Sequence, residues 1–540
     1  MPKFTLTALD VSGIQRYIFN SNRLQENVGA SELVHRATNQ FVFQNLPSPH
    51  NIKNNETGEL DDSLLIEVKE SNLAAEVIYA GGGNTLILFK DKGQAKSFVT
   101  ALSQKLLIEA PGLELLAAHV EVDWDNQPLG DSQQGRHKAV MDELARVKNR
   151  RPVSASLLGL GVTASCQSTG LAAVAMHPHK TDYPISAEVN GKLEAVELAQ
   201  KRFKALIGTG LPGQFQFPLE FDEFGRSKGE ISYIAVVHAD GNGMGARIRK
   251  MADKHKNAGD ENRKYIQAIR DFSRKINQAS LEALNDTISV LAAAVANKTW
   301  LKENKFSIRE WWLPFRPLVF GGDDVTFVCD GRLGLTLAVH YLNAFAQKTA
   351  AHGINGAYAC AGIAVVKTHY PFARAYQLAE QLCSSAKNYV RQTRSSLEED
   401  FSALDWHFAA SGLLGSLDEI RANQYEVKEG KLYLRPVRLS AGGANWRTWP
   451  NFSQVTQDFN RGEQWADKRN KVMALRQALR GGEVAVSQFL KAYEIKHLPA
   501  ADKLPTCLPT TGWTDGICGY FDPIEAMDFF VPLESSAGGN

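Results

Sequence analysis

The sequence predicts an α+β protein in which one sheet-and-helix module occurs twice, and three observations carry that prediction. Each copy contains a hairpin pattern with glycine at its turn, EVIYAGGGNTLILF at 76–89 and RPLVFGGDDVTFVCD at 316–330. An apolar, β-branched strand running into an aspartate precedes each hairpin: Phe4–Leu9 before Asp10, and Ile231–Ala239 before Asp240. A further strand follows each (Ala117–Trp124, Ala357–Val366), then a helix carrying ELARVKNRR around Lys148 or SSAKNYVRQ around Lys387. Setting Gly82-Gly83-Asn84-Thr85 against Gly321-Gly322-Asp323-Asp324 gives equal offsets, 148 − 83 = 65 and 387 − 322 = 65. Self-similarity of this kind describes architecture before function.

The elements divide the 540 residues into four stretches. Residues 1–152 form the first module and close at the basic run 149–152. Residues 153–220 form a connector with a helix-like segment at 193–207. Residues 221–400 form the second module, with a long helical insertion at 247–300 between its strand and its hairpin. Residues 401–540 are expected to be mostly helical, with alternating charges at 462–482 on a solvated face and a disordered SSAGGN tail.

The two copies differ where chemistry would occur. In GGDD, two glycines abut two carboxylates, and glycine lets a nucleotide approach the main chain closely. Paired carboxylates suit Mg²⁺ that also holds substrate phosphates. Asp240, ending a buried strand before the glycine-rich turn Gly241-Asn242-Gly243, supplies a third. Asp240, Asp323 and Asp324 thus form a candidate two-metal site, whose ions would stand about 3.5–4 Å apart and clamp a phosphoryl displacement. Asn84 and Thr85 cannot supply two carboxylates, so the first module should hold structure or nucleotide and the second the metals. Together the two motifs describe a palm, the sheet of polymerases and GGDEF-type nucleotide cyclases. The expected fold is two ferredoxin-like palms packed pseudo-symmetrically, with a connector and a C-terminal helical domain.

DVSGIQRYIF with Gly29–Ser31, the HADGNGMG turn, the GGDD hairpin, AGIAVVKTHYPF at 361–372 and the helix reaching Lys387 resemble a known family. The chain is similar to the large, polymerase-like subunit of type III CRISPR effector complexes, the cyclic oligoadenylate synthase, over roughly residues 1–410. The resemblance implies ATP held between two palms, with the GGDD palm making 3′–5′ linkages and cyclising a product that activates separate effectors. It implies Mg²⁺ or Mn²⁺ on Asp240, Asp323 and Asp324. Gly321, Gly322, Gly241, Asn242, Gly243 and Lys387 would contact nucleotide, with Ser12, Gly82 and Gly83 receiving the other ATP. It also implies partners: other type III subunits with guide and target RNA.

Three departures qualify it. The first palm begins at residue 4 and no His-Asp dipeptide occurs, so single-stranded DNA cleavage by a histidine-aspartate nuclease domain is not expected. The stretch 162–173 keeps only Cys166 of a zinc knuckle, so no structural zinc is expected. Asn242 stands where a second acidic residue is usual after the strand, leaving the metal to lean on Asp240 and backbone carbonyls.

Composition agrees with a cytoplasmic protein. A net charge of +1 gives no electrostatic footprint for free nucleic acid. Six scattered cysteines without a CxxC pair suit a reducing compartment. No signal-peptide pattern is present, and the apolar helical segment at 288–296 falls short of the ~20 residues that cross a bilayer, so no membrane partner is expected. Gly208–Gly213 fits GxGxxG, but it follows a helix pattern and contains Pro212, so it reads as a loop. His177 and His179 lack acidic or cysteine partners at zinc spacing, and His369 reads as a turn residue. Two other functions stay open: a stand-alone cyclase making another cyclic (di)nucleotide, and a scaffold subunit that binds nucleotide without turnover.

Overall fold

A computed structural model describes residues 3–151, 159–207, 215–224, 232–309, 311–396, 399–409, 415–440 and 445–533. The GxGxxG loop at 208–213 and the 535–540 tail lie outside them. The first copy runs β1 (Lys3–Ser12), α1 (Ile14–Phe19), α2 (Leu24–Thr38), β2 (Ala75–Gly81), β3 (Asn84–Phe89), α3 (Lys92–Glu109), β4 (Glu114–Asp123) and α4 (Arg136–Arg150). The second runs β5 (Tyr233–Gly241), α5 (Met244–Ala252), α6 (Asp260–Ala296), β6 (Phe315–Gly321), β7 (Asp324–Asp330), α7 (Gly334–Ala351), β8 (Ala359–Lys367) and α8 (Phe372–Thr393). The strands β9 (Ala403–Ala409) and β10 (Val437–Arg438) follow.

The sheet orders are the same where the copies correspond: β2-β3-β1-β4 in the first, and β6-β7-β5-β8 in the second, which continues into β9 and β10. The entering strand is central and antiparallel to both neighbours, with Asp10 opposite Asn84 and Asp240 opposite Asp324. This register corrects the sequence alignment by one residue. Asn84 corresponds to Asp324, Gly83 to Asp323, and Thr85 to Val325, so the equal 65-residue offsets paired the wrong glycines. A slip of one residue exchanges the two faces of a strand. Thr85 accordingly is buried and donates its hydroxyl to Thr38 O at 2.9 Å.

The turns differ in a way the sequences require. Of the two residues at each turn, Gly82 and Gly83 both have left-handed φ (61° and 84°), whereas in the second copy Gly322 (67°) does and Asp323 does not. Asp323 therefore needs no left-handed backbone, and glycine at 83 does.

Two compact units emerge. One comprises 1–208, 243–278 and the hairpin tip 321–323; the other comprises 209–242, 279–320 and 324–540. In the first unit, alternate residues of β1 (Phe4, Leu6, Ala8) pack with Leu86, Leu88, Ala118, Val140 and Leu144, and with Tyr265, Ile266 and Ile269 of α6. Buried Glu76 accepts hydrogen bonds from Arg263 and Arg270, holding the start of α6 to β2. At Gly29 of α2 an added Cβ would lie 1.7 Å from Lys192 O, so glycine there permits close helix packing.

In the second unit β5 is apolar on both faces, as befits a central strand covered by helices. The strand β9, with the all-buried sequence ALDWHFA, pairs in parallel with β8 beyond the boundary drawn at residue 400. The remaining chain builds a helical core from Val455, Phe459, Val472, Leu475, Leu479, Val486 and Phe521.

The insertion is longer and more continuous than the apolar run at 288–296 suggested: α6 is one helix of 37 residues. By length and composition it is apolar enough to cross a membrane, but 56% of its most apolar window is buried, so this is weak grounds for a membrane span.

Candidate active site

The candidate site in the second unit is built on one face of the sheet. Directly opposed residues of neighbouring strands share a face, with Cβ atoms about 4.5–5.5 Å apart. Asp240 faces Asp324 on β7 and Cys360 on β8; two residues back, His238 faces Thr326 and Gly362. These six residues form a continuous patch, and α8 lies over it. Gly362 makes that approach possible, since an added Cβ would stand 1.9 Å from Ala379 O and 2.3 Å from Cys383 N. On the helix, Cys383 Sγ lies 3.3 Å from Cys360 O, and the Tyr376 ring meets His238 edge-on at 5.6 Å.

The same helix delivers Lys387 to Asp240. Its Nζ lies 2.5 Å from Asp240 Oδ2 and donates to Gly241 O at 2.9 Å. Burial lowers the Lys387 pKa, but the Asp240 carboxylate outweighs it and leaves the ammonium above its ordinary value. The first copy retains a weaker version of this contact, Lys148 Nζ to Asp10 Oδ2 at 3.4 Å.

Asp324 is under electrostatic stress. Burial and then the neighbouring Asp240 push its carboxyl up to about 8, against the opposing pull of Lys387. Its side chain keeps 44% exposure, yet Oδ1 is turned inward and receives no hydrogen bond. The nearest ring nitrogen, His238 Nδ1 at 3.3 Å, also lies 3.1 Å from Thr326 Oγ1. Burial lowers the His238 pKa, so the ring is neutral at pH 7 and lends no charge. Glu380, two helical turns before Lys387, adds a further negative charge felt by both Asp324 and His238.

The structure brings Asp240, Asp324 and Lys387 together and places Asp323 on the turn next to Asp324. Among the described residues no group of three or more His, Cys, Asp or Glu side chains could hold a metal ion by itself. Of the three expected carboxylates, those of residues 240 and 324 stand opposite each other in register, and a lysine already caps Asp240. Two carboxylates still fit Mg²⁺, which takes one or two together with substrate phosphates. An inward carboxylate oxygen without a donor is the kind of atom a cation would satisfy.

Asn242 does not turn toward these carboxylates. It donates to Asp400 Oδ1 at 3.2 Å and Phe401 O at 3.0 Å, and Arg394 holds the same Asp400 oxygen at 2.8 Å. Asparagine suits this place because an aspartate would set two carboxylates against each other. Gly243, like Gly13 in the first copy, has positive φ (63° and 68°) and starts a helix. At the hairpin tip, Gly322 N donates to Asn277 Oδ1 at 3.0 Å, and a Cβ on Gly322 would lie 3.9 Å from Gly82 Cα. Gly82 and Gly83 occupy the tip of the first hairpin, and Ser12 is buried at the end of β1.

Sequence reasoning missed His238, Gly362 and Glu380. Only His238 left a trace, two residues before Asp240 and so on the same strand face.

Residues 233–397 match the family described as Cas10/Cmr2, second palm domain. No curated protein matches the sequence. Among solved structures, the fold is similar to a Csm1–Csm4 cassette in complex with cA3 (TM-score 0.52, 12% identity, 98% of this chain and 70% of that one). A Csm1–Csm4 cassette in complex with one ATP and Csm1 in T. onnurineus each give a TM-score of 0.50 at 12% identity, with the same coverage of 98% and 70%. At such identity the likeness establishes the fold. Residues 233–397 thus carry a Cas10/Cmr2-type second palm, in a chain whose fold is similar to that of Csm1.

Proposed function

We propose that the chain is a metal-dependent nucleotidyltransferase that links ATP into cyclic oligoadenylate, acting in the cytoplasm with other type III CRISPR subunits and guide and target RNA. The observation that carries this reading is the Asp240–Asp324 pair, opposed in register with one inward oxygen lacking a donor. The solved cassettes with ATP and with cA3 support the substrate and product class.

Asp240, Asp324 and the Gly241 carbonyl would hold Mg²⁺ or Mn²⁺, and Asp323 at the turn would serve a second ion. When bound, such ions supply Lewis-acid activation of a ribose 3′-hydroxyl and neutralise charge on the leaving pyrophosphate. The chain's residues do the rest. His238, whose Nδ1 meets Thr326 Oγ1, lies beside Asp324 Oδ1 and leaves that oxygen open. Gly321 and Gly322 leave the hairpin backbone open to a nucleotide. Lys387 presents a point charge that a polyphosphate can take up. Gly82, Gly83 and Ser12 would receive the other ATP, where Asn84 in place of a carboxylate removes the metal pair.

One observation favours a second reading, a subunit that binds nucleotide without turnover: Lys387 neutralises Asp240 in the absence of any ion. Incubating the purified chain with each labelled NTP and Mg²⁺ or Mn²⁺, with and without RNA-bound partner subunits, separates these readings and the stand-alone cyclase. Cyclic oligoadenylate formed from ATP alone among the NTPs supports the synthase. A different cyclic nucleotide made without partners supports the stand-alone cyclase, and no product under any condition supports the scaffold.

A further inference from the structure

The innermost cation at the proposed site is one the chain itself supplies. Lys387 Nζ sits 2.5 Å from Asp240 Oδ2 and 2.9 Å from Gly241 O, and its side chain is only 15% exposed. Asp240 and the Gly241 carbonyl are the β5 groups proposed above to hold a divalent ion. An ammonium and a divalent ion cannot both occupy contact distance from one carboxylate oxygen without strong repulsion. The opposing carboxylate, with Asp324 Oδ1 accepting no hydrogen bond, is left as the one member of the pair without a cationic partner in contact among the described residues. The lysine is also held in place: Gly362 lets α8 lie against β8 and β5, and Cys383, one turn before Lys387, touches Cys360 opposite Asp240.

We propose that Lys387 is the resident counter-ion of the carboxylate pair and gates it, so that a divalent ion enters only when a nucleotide polyphosphate arrives to take up the displaced ammonium. This rests on the cation site described under Proposed function. Its consequence is positive coupling between divalent-ion and nucleotide binding, carried by one side chain and equal in both directions. A lysine that merely bound phosphate would leave ion affinity in the absence of nucleotide unchanged. A merely structural lysine would, on removal, weaken both.

The test is Mn²⁺ binding to the full chain, followed by the electron paramagnetic resonance of free Mn²⁺, with and without AMPPNP. In the wild type, AMPPNP should tighten Mn²⁺ binding roughly tenfold beyond the nucleotide's own chelation, a coupling within the usual range. Lys387→Met should bind Mn²⁺ roughly tenfold more tightly than wild type without nucleotide, and AMPPNP should add nothing further. Lys387→Arg, which keeps the charge, should stay as weak as wild type without nucleotide. Equal or weaker nucleotide-free Mn²⁺ binding by a folded Lys387→Met chain overturns the gate. Absence of coupling in the wild type overturns it as well, independently of how the variant behaves. Asp240→Asn should abolish Mn²⁺ binding with or without AMPPNP; if it binds like wild type, the cation site itself is refuted.

Discussion

Gly362→Ala should both destabilise the second unit and loosen the site. The Cβ would stand 1.9 Å from Ala379 O, 2.3 Å from Cys383 N and 2.8 Å from Leu382 Cβ, while ordinary contact begins near 3.4 Å. Two of the three are backbone atoms of α8 and cannot rotate away, so the helix must retreat by about 1.5 Å. A gap of that size forfeits much of the dispersion contact made by Ala379, Leu382, Cys383 and Ala386. Overpacking of this kind costs about 3 kcal/mol, which for a unit of this size corresponds to a fall in Tm of roughly 5 °C. Lys387 follows Cys383 by one turn, so the same retreat would stretch its 2.5 Å contact with Asp240 to the edge of an ion pair. Differential scanning calorimetry without divalent ions measures the first effect, and Mn²⁺ binding the second. A Gly362→Ala protein melting within about 1 °C of wild type would refute the packing argument, since surface-like changes fall in that range.

Other perturbations act on the carboxylates and their surroundings. Asp323→Ala with Asp324→Ala should abolish product while leaving Tm unchanged or higher, because removing neighbouring carboxylates relieves repulsion; retained synthesis would move the chemistry elsewhere. Asp324 has a folded-state pKa raised to about 8, so the folded chain holds its proton where the unfolded chain has lost it. Stability in the absence of divalent ions should therefore fall as pH rises from about 4 toward 8, and Asp324→Asn should remove that slope in Tm measured against pH. Asn242→Asp, nominally restoring an acidic position, should instead cost about 3 kcal/mol by opposing Asp400 at 3.2 Å, read by denaturant unfolding. Tighter Mn²⁺ binding in that variant, with stability unchanged, would return residue 242 to the metal site.

Much of this was legible in the chain because local signals and the fold agree. GGDD between two apolar runs could form little but a hairpin, and the strand ending at Asp240 needed only an antiparallel partner to set its aspartate against another. The alignment of the copies slipped because three consecutive glycines, Gly81–Gly83, allow more than one registration; the pairing of Asp10 with Asn84 resolves it. What stayed hidden depends on contacts distant in sequence. Gly362 carries no sign of the helix that will cover it, and Glu380 gains its place only when α8 lies over the sheet. Asn242 looked like a lost metal ligand until Asp400, 158 residues away, gave it another partner.

The most direct measurement of the central claim is a crystal structure of the chain with Mn²⁺ and AMPPNP, read from the manganese anomalous signal. The account predicts a peak in contact with carboxylate oxygens of both Asp240 and Asp324, with Lys387 Nζ moved from Asp240 onto a phosphate. A peak elsewhere, or an occupied nucleotide with Lys387 still on Asp240 and no ion between the two aspartates, would contradict it.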